Sequence, residues 1–330
     1  MNNKMLPSDS LPIVVNTWPF VNATRNAFNK MQNQGGTCVD GVEVGCRTCE
    51  DEQCDGSVGW GGHPDESSET TLDSLIIDAK TMSVGAVANL HRIKNAVGVA
   101  RAVMNYTRHS ILVGESATKF ALDMGFEQTD LHSNQSIEQW KNWLDNLSCQ
   151  PNFRRNVSPD PSKSCGPYTP DKFGTTSFDI ETKKRPIKEH DTIGMIALDS
   201  NGNLAAATST NGLQFRIPGR VSDSALIGSG AFADNEVGGA CATGDGDVMQ
   251  RFVPSYNTVE AMRRGSSPEE AALDSIKRIA KFYPNFTGAV LALDRNGRHG
   301  AACNGMDKFP YSVMQNGWTD PQIFEIPCLK

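Results

Sequence analysis

Thr192 follows His190-Asp191 where a long polar stretch gives way to an apolar run, Thr192-Ile-Gly-Met-Ile-Ala-Leu198. Asn201-Gly202 then reads as a hairpin turn and Leu204–Thr210 as the returning strand, which ends in Thr208-Ser209-Thr210-Asn211-Gly212. Strands of nearly equal length bring Thr210 back beside Thr192, so two threonine hydroxyls would face each other next to a linker that could be cut. By itself a His-Asp-Thr tripeptide is an ordinary turn into a strand; its context is what suggests chemistry. A threonine hydroxyl is a weak nucleophile without a base. The one base it can carry with it is its own α-amino group, whose ordinary pKa of roughly 7.7–8.0 lets it take a proton near neutral pH. A linker ending at Asp191 offers Thr192 a way to become N-terminal.

Other chemistries find less support. Gly114-Glu-Ser-Ala-Thr118 lacks the last glycine of a nucleophile elbow. There is no P-loop, no complete Gly-x-Gly-x-x-Gly and no His-Glu-x-x-His, and Gly244-Asp-Gly-Asp247 lacks the downstream spacing of a calcium loop. Cys46, Cys49 and Cys54 could be zinc thiolates, but no fourth ligand of familiar spacing follows, so the expectation is a disulfide and no metal. The net charge of -7 and the absence of a long basic run argue against a nucleic-acid partner. No stretch approaches the roughly 18 apolar residues of a membrane span. Nine cysteines and six Asn-x-Ser/Thr sequons, at Asn22, Asn105, Asn134, Asn146, Asn156 and Asn285, favour a secretory route. Met1–Ser10 is polar and the apolar run Leu11–Val15 is too short for the core of a signal segment, so the leader is expected to have been removed.

The elements that must position Thr192 can be read from periodicity. Ile13–Trp18 reads as a buried strand, Ala23–Gln34 and Val39–Glu50 as helices, and Gly56–Pro64 as a glycine-rich loop. Leu75–Ile77 and Ile111–Gly114 read as strands and Asn95–Tyr106 as a helix; Ser116 could cap the helix that follows Gly114. Ser136–Leu147 reads as a helix. Residues 148–189 hold six of the 17 prolines and keep neither period, and read as a surface linker. Beyond the Thr192 hairpin, Asp247–Gly265 and Ser267–Tyr283 read as long helices, the second opening on a capping box. Gly288–Leu293 and His299–Cys303 read as a second hairpin. Strands, helices and strands again suggest layered α and β elements.

With these residues in view, the chain closely resembles the glycosylasparaginase (aspartylglucosaminidase) family of N-terminal nucleophile hydrolases. The resemblance runs from Val14-Val-Asn-Thr-Trp-Pro-Phe20 to the last cysteine. Its most specific segments are Cys54-Asp-Gly-Ser-Val-Gly59, His190-Asp-Thr-Ile-Gly-Met195, Gly219-Arg-Val-Ser-Asp-Ser224 and Ala242-Thr-Gly-Asp-Gly-Asp247. It implies an α/β fold, a four-layer αββα sandwich. It implies autoproteolysis of the Asp191–Thr192 bond into an α chain, 1–191, ending in a linker over about 148–191, and a β chain, 192–330. Thr192 would then attack the side-chain amide of GlcNAc-asparagine with its freed amine as base, in the degradation of glycoproteins, and Thr210 would orient it. Arg220 would pair with the substrate carboxylate and Asp223 with its ammonium. Thr243 and Gly244 would form the oxyanion hole, with Gly246 beside the bound substrate. Trp18 would line the substrate funnel, and Ser57 would sit near the precursor cleavage site. His190 takes no assigned role. The resemblance also implies disulfides Cys49–Cys54, Cys149–Cys165 and Cys303–Cys328, with Cys38, Cys46 and Cys241 free. It implies a lysosomal location, two αβ units paired as a dimer, a small-molecule substrate, and no cofactor.

Each residue also has a plainer reading. Arg220 and Asp223 could be a surface ion pair, Trp18 a core residue, and Thr243-Gly244 a turn before a helix. Ser222 stands where the family pattern has glycine, and Ala207 where it has glycine or another small residue; both changes are expected beside substrate-binding positions. An asparaginase or isoaspartyl-peptide hydrolase with the same threonine chemistry is the alternative activity. A secreted glycoprotein retaining only the fold is a third reading, and intact Thr192, Thr210, Arg220 and Asp223 argue against it.

Overall fold

The computed structural model describes residues 10–171 and 192–329. The chain runs through β1 (Ile13–Thr17), helices α1 (Val21–Gln32) and α2 (Cys38–Glu52), hairpin β2 (Leu72–Asp78) and β3 (Ser83–Leu90), α3 (Ala96–Tyr106), β4 (Ile111–Val113), α4 (Gly114–Asp123), α5 (Asn134–Asp145) and a small ribbon of β5 (Val157–Ser158) with β6 (Thr169–Pro170). The second part holds β7 (Ile193–Leu198), β8 (Leu204–Thr210), β9 (Ala231–Asp234), β10 (Gly238–Gly244), α6 (Gly246–Met249), α7 (Pro254–Arg263), α8 (Pro268–Phe282), β11 (Gly288–Asp294), β12 (His299–Asn304), β13 (Lys308–Gln315) and β14 (Gln322–Pro327).

Eight strands form one sheet in the order β14-β13-β1-β7-β8-β2-β3-β4, and four form a second in the order β12-β11-β10-β9. Side chains alternate between two faces of a strand, and the cores separate accordingly. Val15, Leu75, Ile196, Leu198 and Ala206 of the large sheet pack with Cys241, Leu291 and Leu293 of the small one between the sheets. Their neighbours Val14, Ile76, Met195 and Ala207 face the opposite way, onto α1 to α4. Ala240, Ala242, Val290 and Ala292 face outward onto α7 and α8. The result is the four-layer αββα sandwich.

Local chemistry explains most boundaries. The Thr37 hydroxyl and the Asp40 carboxylate form a reciprocal cap on α2, and Ser267 with Glu270 does the same on α8. The expected helix over 247–265 is two helices, α6 and α7. Pro254 cannot continue the first, and Val253 before it takes a left-handed φ of 50°. Ser116 lies inside α4 rather than capping it, because the helix begins at Gly114 with Val113 before it. The expected linker falls within the described residues only as far as 171, and that stretch carries structure. Residues 148–171 hold the Cys149–Cys165 disulfide and the β5–β6 pair, and Cys149 packs with the stacked rings of Trp143 and Phe215 outside the segment. Cys49–Cys54 and Cys303–Cys328 are also disulfides, while Cys38, Cys46 and Cys241 are free and buried. Cys46 therefore has no thiolate neighbours at Cys49 and Cys54 with which to share a metal.

Glu50 is a fully buried carboxyl on the inner face of α2. Its Oε1 accepts the Val97 N–H in the first turn of α3 at 2.9 Å and the Ser209 hydroxyl of β8 at 2.6 Å, while Oε2 has no partner among the described residues. Burial pushes its pKa up from the ordinary 4.5 to about 7, against those two hydrogen bonds. The folded protein therefore holds a proton there that the unfolded chain releases above pH about 4.5. The sign follows: stability is greatest below that value and declines as pH rises toward about 7. Glu50→Gln retains the acceptor oxygen and removes the titration. Its melting temperature should gain on the wild type by roughly 2–4 °C between pH 5 and pH 8, the shift about 1 kcal/mol produces in a large domain. A difference that stays constant across that range would refute the assignment.

Candidate active site

The strand registers bring several hydroxyls to one end of the space between the sheets. Ile193 pairs with Ser209, which sets Thr192 opposite Thr210. By the alternation that sends Ile196 and Leu198 inward, Gly194 and Thr192 also face the second sheet. Thr17 on β1, Thr208 and Thr210 on β8 and Thr243 on β10 fall on the same face. Close approach of the sheets depends on Gly194, where an added Cβ would meet Cys241 Cβ and Sγ at 2.8 Å. All five threonines are fully buried.

Thr192 is held from three sides. Its N–H donates to Thr243 Oγ1 at 3.0 Å. The Thr17 hydroxyl donates to the Thr192 carbonyl at 2.7 Å and accepts the Gly194 N–H at 2.8 Å. The Thr192 hydroxyl lies 3.3 Å from that of Ser224, whose own carbonyl accepts from Thr208 at 2.6 Å. Thr210 is opposite Thr192 as the hairpin predicts, but its hydroxyl donates to the Ser57 carbonyl at 3.3 Å and accepts the Gly212 N–H at 3.0 Å. Ser57 thus reaches the end of β8, and the Asn211 N–H also donates to its carbonyl at 2.8 Å. His190 and Asp191 lie outside the described residues.

Beside this cluster sits a charged slot. Arg220 does not pair with Asp223; its Nε and Nη2 grip the two oxygens of Asp247 at 3.2 Å each. Among the described residues its buried Nη1 has no hydrogen-bond partner, and neither oxygen of the fully buried Asp223 has one. Gly246 closes the slot: a Cβ there would meet Asp223 Oδ1 at 2.5 Å and Arg220 Nη2 at 3.1 Å. Burial pushes the Asp223 pKa up to about 7; Arg220 opposes the shift, and Asp245 and Asp247 add to it. An orphaned donor and an orphaned acceptor side by side, both buried, are costly unless something binds there.

Gly244, at φ 120°, ends β10 beside Thr243, and an added Cβ would strike Thr287 O and Gly288 Cα at 2.4 Å. Ser222 is part of the site wall. Its N–H donates to Asp73 at 2.8 Å and its hydroxyl accepts the Ser224 N–H, capping the turn that carries Asp223. Ala207 is not near the slot: it faces α2 in the helix-side core, because it is one residue out of phase with Thr208 and Thr210. Trp18 is 8% exposed, packed edge-on against Phe309 at 5.1 Å, and its indole N–H donates to Thr243 Oγ1 at 3.1 Å. Sequence reasoning passed over Thr17, Ser224, Asp73 and Asp247. The alternation of β1 would have put Thr17 on the site's face; the partners of Ser224, Asp73 and Asp247 lie far away in sequence and have no local signal.

The family described as Asparaginase matches residues 5–321. The chain is 51% identical over 325 residues to the mouse protein named N(4)-(beta-N-acetylglucosaminyl)-L-asparaginase, which covers 98% of this chain and 93% of the mouse one. It is 53% identical over 307 residues to the rat protein of that name, covering 92% and 87% respectively. A probable isoaspartyl peptidase/L-asparaginase 3 of Arabidopsis thaliana is 46% identical over 337 residues, covering 98% of this chain and 92% of its own. The buried Thr192 at the end of a sandwich of two sheets and similarity along nearly the whole chain agree: the protein belongs to the Asparaginase family of N-terminal nucleophile hydrolases.

Proposed function

We propose that the chain cuts itself between Asp191 and Thr192, and that Thr192 then hydrolyses the amide joining N-acetylglucosamine to free asparagine. The observation that carries this reading is the pair of orphaned groups in the slot. The Arg220 guanidinium, whose Nη1 is orphaned, and the orphaned Asp223 carboxylate both approach the position without a Cβ at Gly246. An amino acid with both α-groups free supplies the missing partners, a carboxylate for Arg220 and an ammonium for Asp223. The Thr192 amine takes the proton of its own hydroxyl as Oγ1 attacks the side-chain carbonyl. The Thr243 hydroxyl and the Gly244 N–H meet the oxygen that becomes negative, and the amino sugar leaves with the proton. Water then cleaves the aspartyl ester by the same steps, releasing aspartate and restoring Thr192. Thr210, opposite Thr192, holds the end of β8 to the Ser57 carbonyl.

Residues 1–191 would form the α chain and 192–330 the β chain of one domain. The three disulfides and the exposure of all six sequon asparagines support a secretory route ending in the lysosome. Exposed Ile111 and Val113 on the edge strand β4, with Leu122 and Met124 on or next to α4, support pairing of two αβ units. The second reading is isoaspartyl peptidase or asparaginase activity, favoured by the similarity to the Arabidopsis protein. The same slot and nucleophile would serve it, with a different leaving group.

Two measurements test this. On a denaturing gel the purified protein should run as two chains, with Thr192 as one N-terminus; an uncut active protein would sink the mechanism. In competition, GlcNAc-asparagine should be turned over faster than asparagine or an isoaspartyl dipeptide. Faster turnover of the dipeptide would reverse the ranking.

A further inference from the structure

Thr243 Oγ1 receives two donors, the Thr192 N–H at 3.0 Å and the Trp18 indole N–H at 3.1 Å. A hydroxyl has two acceptor lone pairs and one proton. An indole nitrogen only donates, and so does the Thr192 amide before any cut. Both lone pairs of Thr243 are then occupied, and among the described residues no acceptor takes its proton. That proton must leave along the remaining tetrahedral direction, away from both donors. After a cut at Thr192, the neutral amine keeps an N–H for Thr243 while its lone pair turns to its own Oγ1.

Trp18 is built to hold this position. It follows β1 directly, bridges to Tyr311 and takes a left-handed φ of 62°, which a tryptophan adopts only when its surroundings require it. Its ring is wedged on the fully buried Phe309. A side chain 8% exposed offers little face to a sugar.

We infer that Trp18 is a positioning residue: its indole N–H, with that of Thr192, leaves the Thr243 hydroxyl able only to donate, toward the oxygen that becomes negative during acyl transfer. This rests on the reading of Thr243 as an oxyanion donor, and it replaces the expectation that Trp18 lines a substrate funnel. An oxyanion donor free to point elsewhere loses part of the roughly 100-fold to 1,000-fold that such a donor supplies.

The test is Trp18→Phe, which keeps an aromatic ring against Phe309 and deletes the N–H. Rates are normalised to the fraction of chains with Thr192 as N-terminus. We expect kcat to fall about 10-fold by the same factor on GlcNAc-asparagine and on asparagine, with KM unchanged. In a Thr243→Ala background the substitution should cause no further loss. A loss confined to KM for the glycosylated substrate would make Trp18 a sugar contact and overturn the inference. So would an undiminished kcat, or an equal loss without Thr243. If the phenylalanine variant does not mature, a benzothienylalanine at position 18 keeps the bicyclic shape without the N–H, and the same outcomes apply. Wild-type protein inactive on both substrates would instead defeat the proposed function itself, so the two failures are distinguishable.

Discussion

Thr192→Ala should leave a single uncut chain and lower turnover of GlcNAc-asparagine by about six orders of magnitude, to the background of the assay. The size follows from what replacing one hydroxyethyl side chain by methyl removes. The hydroxyl is the only nucleophile in the proposed ester, and without self-cleavage the α-amine that serves as its base stays locked in a peptide bond. Loss of a nucleophile that acts as a unit with its base costs on the order of a million-fold in hydrolases of this logic. The neighbouring hydroxyl, Ser224 at 3.3 Å, has no such amine and cannot substitute for it. Thr192→Ser keeps both hydroxyl and amine, so it should be cut and active at a reduced rate. Mass spectrometry of the purified variants and an end-point sugar-release assay decide the matter. An alanine variant that is cut at 191/192, or active while uncut, would show that another group does the work.

The site was legible in the sequence only where it is local. The hairpin of β7 and β8 could be read from Asn201-Gly202 and two apolar runs of similar length, and it placed Thr210 opposite Thr192. What the hydroxyls touch could not be read that way. Whether Thr210 bonds Thr192 or the Ser57 carbonyl depends on a loop 153 residues away, and pairwise pattern carries no information about it. Strand β3, Ser83–Leu90, escaped a periodicity reading because glycine and alanine dilute its alternation. Strand β10 also escaped a periodicity reading, because its Gly238-Gly-Ala-Cys-Ala-Thr-Gly244 lacks large side chains, yet that smallness is what lets the two sheets approach and Thr243 reach Thr192. Ala207 illustrates the complementary error. Nearness in sequence to Thr208 and Thr210 suggested a place by the substrate, but a strand turns neighbouring residues to opposite faces, and Ala207 belongs to the helix-side core.

Asp223→Asn should lower kcat/KM for GlcNAc-asparagine by about 100-fold to 1,000-fold, the cost of leaving a buried charge without its partner, here the substrate ammonium. The effect should also change the pH profile. In the empty enzyme the Asp223 carboxyl holds its proton up to about pH 7 because of burial beside Asp245 and Asp247. A protonated Asp223 cannot pair with an ammonium, so kcat/KM falls as pH drops below about 7. The Thr192 amine must also be unprotonated, with an ordinary value of roughly 7.7–8.0. Two groups that must each lose a proton give log kcat/KM a slope approaching two on the acid side, and removing one of them leaves a slope of one. Glu50 titrates near the same pH but touches Val97 and Ser209 rather than the slot, so Glu50→Gln should keep the slope of two. Stability moves the other way. A carboxyl raised from 3.8 to about 7 makes the folded state less stable as pH rises through that interval. Asp223→Asn should therefore melt higher than the wild type at pH 8 while binding substrate far more weakly. A variant that lost affinity and stability together at that pH would mean that Asp223 holds the fold rather than the ligand.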